Sequence, residues 1–222
     1  MPRVIDHDER RAQLSEAVWR VIEQDGGHGL TIRRIADESG WSVGAIAHYF
    51  PSKDDLLLAA YRRALQRVND RFYADLEAQR GLAGLRAAVQ HNLCLTPESH
   101  LVARVWLAFL SRVSVRDDFQ RLQRTDNASW QRAMQDKMRE AVADGELPAG
   151  VDLDGEATLL AAFVDGTAMR AALDPASFPA ERQLELLDAY LTGRGLAAGV
   201  TPPAPGRRGP ARTPRRRSST SR

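Results

Sequence analysis

The segment that decides the fold reads Thr31-Ile-Arg-Arg-Ile-Ala-Asp-Glu-Ser-Gly-Trp-Ser-Val-Gly-Ala-Ile-Ala-His-Tyr-Phe50. Ala36 is small enough to lie where two helices cross at about 90–120°. Gly40 follows four positions later and tolerates the positive φ that a tight turn requires. Ile46 comes after another six positions and supplies a branched apolar side chain that faces the first helix. This spacing predicts a helix-turn-helix motif over residues 31–50.

The Ala-Gly-Ile spacing by itself leaves two interpretations open. Such a triad also arises by chance in helical proteins, so the motif could be purely structural. The chain would then be a helical adaptor or a ligand carrier without sequence-specific DNA binding. The residues that flank the motif bear on this choice, as described below.

Helical periodicity extends along most of the chain and predicts an all-α fold. Leu14, Ala17, Val18 and Val21 recur at the spacing of one helix face, whereas alternating β-branched patterns are nearly absent. Caps, glycines and prolines divide the chain into about nine helices. Their expected limits are a cap at Asp6 to Gly26, Thr31 to near Gly40, Ser42 to about Tyr49, Pro51 to Gln79, 82–95, 98–114, 117–144, 153–173 and 179–193.

The positive charge of the chain is concentrated at its C-terminal end. The formal net charge is +2, but residues 201–222 carry seven arginines and no acid, so the other 200 residues have a net charge of −5. From Gly195 onward Pro, Gly, Arg, Ser and Thr dominate, and such a segment buries too little apolar surface to offset its ordering entropy. We therefore predict that residues 195–222 form a disordered tail.

Several classes of protein are disfavoured by the composition. No apolar run approaches the roughly 20 residues of a membrane span, and the charged first 25 residues do not resemble a secretory signal. The single cysteine, Cys94, excludes a disulfide framework within the chain. The histidines are scattered, and no catalytic set, metal site or cofactor motif stands out. We expect a cytoplasmic protein that is not an enzyme, has no cofactor and does not enter a membrane.

The residues after the motif provide its most specific context. His48-Tyr-Phe-Pro-Ser-Lys-Asp-Asp-Leu56 follows the motif directly, and a further helix precedes it. Over residues 10–60 the sequence resembles the TetR family of bacterial repressors. The resemblance implies a three-helix DNA-binding domain over residues 1–52, a helical effector-binding and dimerisation domain over residues 53–194, and a homodimer built by the last two helices.

The C-terminal half carries a second resemblance. Trp106-Leu-Ala-Phe109, AVADGEL at 141–147, FVDGTAMRAAL at 163–173 and ERQLELLDAYL at 181–191 are similar to the BetI branch of that family, whose founding members sense choline. The pattern implies the architecture of this half and leaves the identity of the effector open.

Candidate DNA contacts follow from how a recognition helix enters the major groove with its N-terminal residues. Hydroxyl groups and cations at helix starts suit phosphates, small apolar residues suit thymine methyl groups, and the resemblance implies that Lys53 clamps a phosphate. The candidates are Thr31, Arg33, Arg34, Ser42, Val43, Gly44, Ala45, Ala47, His48, Tyr49 and Lys53. Arg33 and Arg34 could instead form a solvated helix face, and His48 could be a simple helix-end residue.

This reading face departs from the usual pattern of the family. Many members carry Lys or Thr where this chain has Val43 and Ala45, and Trp41 replaces a common Val. Residues 1–55 also contain seven basic and ten acidic side chains. DNA affinity must therefore come from the placement of a few cations and not from bulk charge.

Aromatic and sulfur-containing residues in the C-terminal half are candidate effector contacts. We predict this role for Trp106, Phe109, Trp130 and Met134, although their helical spacing also suits a core. Aromatic faces together with an acid would suit a quaternary ammonium ion. Asp165 interrupts an apolar helix, and we expect it to bind a neighbouring helix end or Arg170, with a ligand role as the lesser alternative.

Together these features predict a one-component transcriptional regulator. Its expected partners are a palindromic double-stranded DNA operator, an unidentified small-molecule effector and a second copy of the chain. The effector would release a repressor from the operator by favouring one separation of the two recognition helices.

Overall fold

The computed structural model describes residues 7–26 and 29–197, and all regular secondary structure in these ranges is helical. The helices are α1 (His7–Asp25), α2 (Ile32–Ser39), α3 (Val43–Tyr49), α4 (Lys53–Ala78), α5 (Gly81–Gln90), α6 (Pro97–Val113), α7 (Asp117–Ala143), α8 (Leu153–Leu173) and α9 (Ala180–Gly193). The predicted all-α class is confirmed. The predicted cap at Asp6 and most of the predicted tail lie outside the described residues.

Local hydrogen bonds fix the helix-turn-helix. Thr31 Oγ1 accepts the N–H of Arg34 at 3.1 Å, and Ser42 Oγ accepts the N–H of Ala45 at 3.2 Å. Gly40 ends α2 at φ +71°. A β-carbon built there meets no atom within 4 Å, so glycine is required by the backbone conformation and not by lack of space.

The long helix α4 joins the N-terminal helices to the rest of the molecule. Ser52 and Asp55 form a capping box at its start, and its 26 residues make it about 39 Å long. Its first half packs on α1 and α6, and its second half packs on α5.

Two large hydrophobic cores stabilise the molecule. The first combines α1, α2, α3 and the first half of α4 with Val105 and Phe109 of α6 and Phe119 of α7. The second combines the end of α4 with α5, α7, α8 and α9. The first core therefore extends across the proposed domain boundary at residue 52, so the helix-turn-helix is packed directly on the bundle.

Helix α5 ends five residues before its predicted limit. A fully buried amide explains the early end: Gln183 of α9 accepts the N–H of Cys94 and donates to its carbonyl, both at 2.8 Å. The same amide nitrogen donates to Phe178 O at 2.9 Å. These bonds satisfy the loop backbone in place of a helix.

The end of α9 extends the folded part of the chain beyond its predicted limit. Gly195 adopts φ +69° and donates to Thr192 O at 3.1 Å, while Leu196 donates to Leu191 O at 2.7 Å. Leu196 is fully buried. This is a Schellman motif with its apolar contact, so Gly195 and Leu196 belong to the fold and not to the tail.

Candidate DNA interface and effector cavity

The outer face of α3 is small and mostly apolar. Ile46 is buried and anchors the helix, whereas Val43 is 51% exposed. Gly44, Ala47 and His48 are also exposed. Ala45, the remaining candidate on this helix, is half-buried. The face can contact thymine methyl groups, and His48 is its one side chain able to hydrogen-bond a base edge.

Two hydroxyl groups cap the helices of the motif. In both caps the oxygen of Thr31 or Ser42 acts as acceptor, and both residues are exposed. A hydroxyl that accepts a hydrogen bond keeps its own proton for donation. Both groups can therefore donate to a DNA phosphate without giving up the cap.

The two predicted arginines of α2 have different surroundings. Arg34 donates to Asp25 at 2.7 Å and to Glu38 at 3.2 Å, and it also binds Gln24. The hydrogen bond that Arg34 donates to Asp25 is the main reason that the pKa of Arg34 is raised. Arg33 is exposed and forms no ion pair with any residue that the structure describes. The predicted contacts remain predictions, and Arg33 is the better placed of the two.

Tyr49 lies at the end of α3 and contacts arginines of α1 as well as two rings of the helix-turn-helix. Its ring is buried, and its hydroxyl accepts a hydrogen bond from Arg10 Nη1 at 3.4 Å. The rings of Trp41 and His48 meet it edge-on, with centroids at 6.0 and 5.4 Å. Its carbonyl accepts from Arg11 at 3.5 Å. The contacts of the two α1 arginines with Tyr49 could not be predicted from the sequence, because the partners lie almost forty positions apart.

Lys53 begins α4 at the border between the helix-turn-helix and the bundle. It is half-buried, and no carboxylate of the described residues lies within ion-pair distance of it. The next residue, Asp54, binds Arg112 at 2.9 Å and Arg116 at 3.6 Å. The start of α4 is thus tied to the end of α6 and the start of α7.

A cavity of about 280 Å³ lies between α4, α6, α7 and α8, with the loop after α5 as one wall. Aromatic side chains supply much of its lining: Tyr61, Phe72, Tyr73, Trp106 and Trp130. Two of the four predicted effector contacts therefore line this cavity.

The other two predicted effector contacts, Phe109 and Met134, lie in the cores instead. Both are fully buried, and neither lines the cavity. Phe109 is stacked between Tyr61 and Phe119, with centroid distances of 3.8 and 4.9 Å. Its spacing on α6 fits either role, and the packing of α4 and α7 assigns it to the core.

Two acids face the cavity, and none of its described lining residues is a lysine or arginine. Asp126 accepts a hydrogen bond from the Tyr61 hydroxyl at 3.3 Å, and burial raises the pKa of this carboxyl. Asp165 lines the same cavity and keeps part of its surface exposed, and desolvation by the surrounding protein raises the pKa of its carboxyl to about 6. The expected pair with Arg170 does not form, since that guanidinium lies over the Phe178 ring at 4.7 Å.

The one basic residue of the cavity wall, among those described, is His91. Its Nε2 lies 2.6 Å from a carboxylate oxygen of Asp75. Asp75 does not line the cavity, so His91 is paired with an acid outside it. No group of three or more potential metal ligands occurs among the described residues. The cavity is therefore a site of net negative charge with aromatic walls.

No helix in the described ranges is long and apolar enough to cross a lipid bilayer.

A helix-turn-helix packed on a helical bundle that encloses a cavity defines the class of one-component DNA-binding regulators. The sequence profile of the bacterial regulatory proteins of the tetR family matches residues 14–60. That of the C-terminal domain of BetI-type transcriptional repressors matches residues 82–195. The chain therefore belongs to the TetR family, and its C-terminal half is of the BetI type.

Individual relatives agree with this assignment. The chain is 36% identical over 178 residues to the HTH-type transcriptional regulator PksA of Bacillus subtilis, covering 79% of this chain and 84% of that one. It is 32% identical over 195 residues to BetI 1 of Chromohalobacter salexigens, covering 86% and 93%. These relatives are transcriptional regulators and not enzymes. The family assignment favours DNA-binding regulation over the adaptor or carrier interpretation.

A solved structure extends the likeness to the fold. A regulator of Saccharomonospora viridis in complex with choline superimposes with a TM-score of 0.76 at 26% identity, covering 84% of this chain and 97% of that one.

Proposed function

We propose that the protein is a repressor that binds a pseudo-palindromic operator as a homodimer and is released by a small cationic molecule. The observation that carries the cationic effector is the pair of acids, Asp126 and Asp165, in a cavity whose described lining includes no lysine or arginine. The choline complex of the Saccharomonospora viridis relative supports the same class of ligand.

The walls of the cavity suit an ammonium group. Aromatic faces attract a cation through the ring quadrupole, most strongly where water is excluded. Tyr61, Trp106 and Trp130 bring such rings into the same space as the acids. The volume of about 280 Å³ is at the small end of ligand pockets, so a compact amine or quaternary ammonium ion fits better than a long-chain ligand.

The proposed dimer uses the last two helices. Leu159, Met169 and Leu173 are large apolar residues on α8 that this single chain leaves exposed, Leu173 by 71%. A second copy covering this face would bury them. A two-fold dimer would place its recognition helices about 34–36 Å apart, one helical turn of DNA.

A column of stacked rings is the proposed connection between effector and DNA. It runs from Tyr61 in the cavity wall through Phe109 to Phe119. The guanidinium of Arg116 lies 5.4 Å from the Phe119 centroid and 3.6 Å from Asp54. Asp54 directly follows the proposed phosphate-binding lysine at the start of α4.

The column begins at a group that a cation would compete for. The Tyr61 hydroxyl donates to Asp126, and an ammonium ion drawn to this carboxylate weakens that hydrogen bond and shifts the ring. Only a ligand with different affinity for the two arrangements can change the separation of the recognition helices.

The test uses a duplex selected from a random-sequence library by the full-length protein. We expect a palindromic sequence, binding by a dimer in sedimentation, and at least tenfold weaker binding in saturating choline. Trp130→Ala should abolish the choline effect and leave operator binding unchanged. The core substitution Met134→Leu should change neither the choline effect nor operator binding. A monomer that selects no symmetric sequence would contradict the proposal.

A further inference from the structure

The helix-turn-helix unit has few cations available for DNA. Residues 1–55 carry more acids than bases, and some of the bases are already neutralised inside the unit. Arg20 binds Glu38 at 2.8 Å, and Arg34 binds both Asp25 and the same Glu38. Among side chains that the structure describes, the cations of this unit that form no ion pair are Arg10, Arg11, Arg33 and Lys53. Their positions decide which of them can reach a phosphate.

Arg10 is held against both ends of the recognition helix. Its guanidinium carbon lies 5.8 Å from the ring centroid of Trp41, which directly precedes the N-cap of α3. Its Nη1 donates to the hydroxyl of Tyr49, the last residue of α3, at 3.4 Å. The two rings meet edge to face. An arginine of α1 is thus positioned by two aromatic residues of the motif.

This arrangement preserves the ability of the guanidinium to bind an anion. A cation–π contact with a ring does not use the N–H donors, which lie at the edge of the planar guanidinium. Tyr49 takes one of five donors. A planar group whose orientation is already fixed loses little rotamer entropy when it forms two parallel hydrogen bonds to a phosphate.

From this geometry we propose that Arg10 is a further DNA-contacting residue, which binds a backbone phosphate beside the recognition helix. The proposal rests on the DNA-binding function proposed above and adds a contact supplied by α1. Trp41 and Tyr49 act as positioning residues for it. This gives Trp41 a role that a valine at the same position could not fill, because valine has no ring to hold a guanidinium.

The neighbouring arginine has a different role. Arg11 donates to the backbone carbonyl of Tyr49 at 3.5 Å, and its guanidinium lies 5.7 Å from the Phe50 ring centroid. It binds one of the carbonyl groups left open at the C-terminal end of α3. Its contact is with the helix end, so we assign it to the stability of the motif and not to DNA.

The experiment compares Arg10→Ala, Arg10→Lys and Arg20→Ala in the full-length protein. Arg20→Ala is the matched control, because it removes a cation of the same helix that Glu38 already neutralises. Binding to the selected operator and to a random duplex is measured by fluorescence anisotropy between 50 and 200 mM salt. Circular dichroism and sedimentation establish that each variant is folded and has the wild-type oligomeric state.

Arg10→Ala should lower the slope of log affinity against log salt by about one unit on both duplexes. Its affinity should fall about tenfold, as for the loss of one charge-assisted hydrogen bond. Arg10→Lys should keep the slope and lose affinity, because an ammonium does not bind a phosphate through two parallel bonds. Arg20→Ala should match the wild type.

Trp41→Val tests the positioning role separately. Because the charge remains, the salt slope should stay at the wild-type value while affinity falls several-fold. Combining Trp41→Val with Arg10→Ala should cost less than the sum of the two single losses.

A wild-type slope in Arg10→Ala would overturn the assignment of a phosphate contact to Arg10 and leave the proposed function standing. A wild-type protein that shows no operator binding at all would overturn both. If Arg10→Ala were unfolded, Arg10→Gln decides the question by the same slope, since its side chain keeps a polar end without the charge.

Discussion

The helix-turn-helix unit and the bundle place their functional groups in contrasting ways. In the helix-turn-helix, Thr31 and Ser42 each bond to a backbone N–H three residues ahead, so the sequence specifies the geometry locally. In the bundle, Tyr61, Trp106 and Asp165 reach one cavity from three separate helices. A local signal can be located in a sequence, whereas a cavity is assembled only by tertiary packing.

The two regions also differ in which charge they neutralise. The acids of the helix-turn-helix bind Arg20 and Arg34 and leave other cations available. Among the described residues, the bundle gives the acids of the cavity no cationic partner and engages Arg170 with an aromatic ring. Each region thus keeps available the charge opposite to that of its proposed ligand, phosphate in one and a cation in the other.

The largest expected effect separates core from cavity within α6. Phe109→Ala should reduce the free energy of unfolding by about 3–5 kcal/mol, because a buried ring and its stacking partners lose their contacts. Trp106→Ala, which changes a half-buried cavity wall, should cost clearly less and weaken choline binding. Urea denaturation and choline titration distinguish the two variants. Equal losses of stability would mean that Trp106 belongs to the core as much as Phe109 does.

The next effect is a pH dependence of ligand binding. With a pKa of about 6, Asp165 is about one-tenth ionised at pH 5 and almost fully ionised at pH 7.5. Choline affinity should therefore rise up to about tenfold over this range. Asp165→Asn should flatten the rise, while Asp154→Asn, at the exposed start of α8 and outside the cavity lining, should preserve it. A flat wild-type titration would show that this carboxyl does not bind the cation.

The same carboxyl influences stability in the opposite direction. Because its pKa is higher in the folded protein than the ordinary 3.8, the folded state binds the proton more tightly. Its contribution to stability should therefore fall as the pH rises from about 4 to about 6. Thermal melts of wild type and Asp165→Asn should converge at pH 4 and separate above pH 6, with the variant the more stable.

A smaller effect is expected at the start of α4. Lys53→Ala should weaken binding to all duplexes alike and lower the salt slope by about one unit. Val43→Ala, which removes methyl groups from the reading face, should instead change sequence preference at an unchanged slope. A changed preference in the lysine variant would show that Lys53 reads bases.

The smallest effect compares two adjacent arginines. Arg33→Ala should lower DNA affinity with little change in stability. Arg34→Ala should lower the free energy of unfolding slightly, because it removes surface ion pairs with Asp25 of α1 and Glu38 of α2, and should change DNA affinity less. The reverse result would mean that Arg34 leaves Asp25 and Glu38 on binding DNA.

The contrast between the regions also sets what the sequence could predict. The starts of α2 and α3 were predicted because Thr31 and Ser42 form bonds that span three residues. The separate roles of Trp106 and Phe109 could not be predicted, since they occupy neighbouring positions on one helix and differ only in what α4 and α7 place against them.

Long-range hydrogen bonds account for the remaining differences. The early end of α5 depends on Gln183, which lies 89 positions from Cys94. The neutralisation of Arg34 depends on Asp25 in another helix. The sequence alone predicts Leu196 in the tail, because one apolar side chain does not stand out in the Pro-, Gly- and Arg-rich composition that follows it.

The buried loop residue that Gln183 holds has a practical consequence for labelling chemistry. Cys94 is the one cysteine of the chain; its side chain is almost fully buried, and burial raises the pKa of the thiol to about 11. Since the thiolate is the reactive form, maleimide and methanethiosulfonate reagents at neutral pH will leave it unmodified. A cysteine introduced at the exposed position 43 therefore carries a spin label without prior removal of the native thiol. The distance between two such labels in a dimer measures the separation of its recognition helices directly, with and without choline.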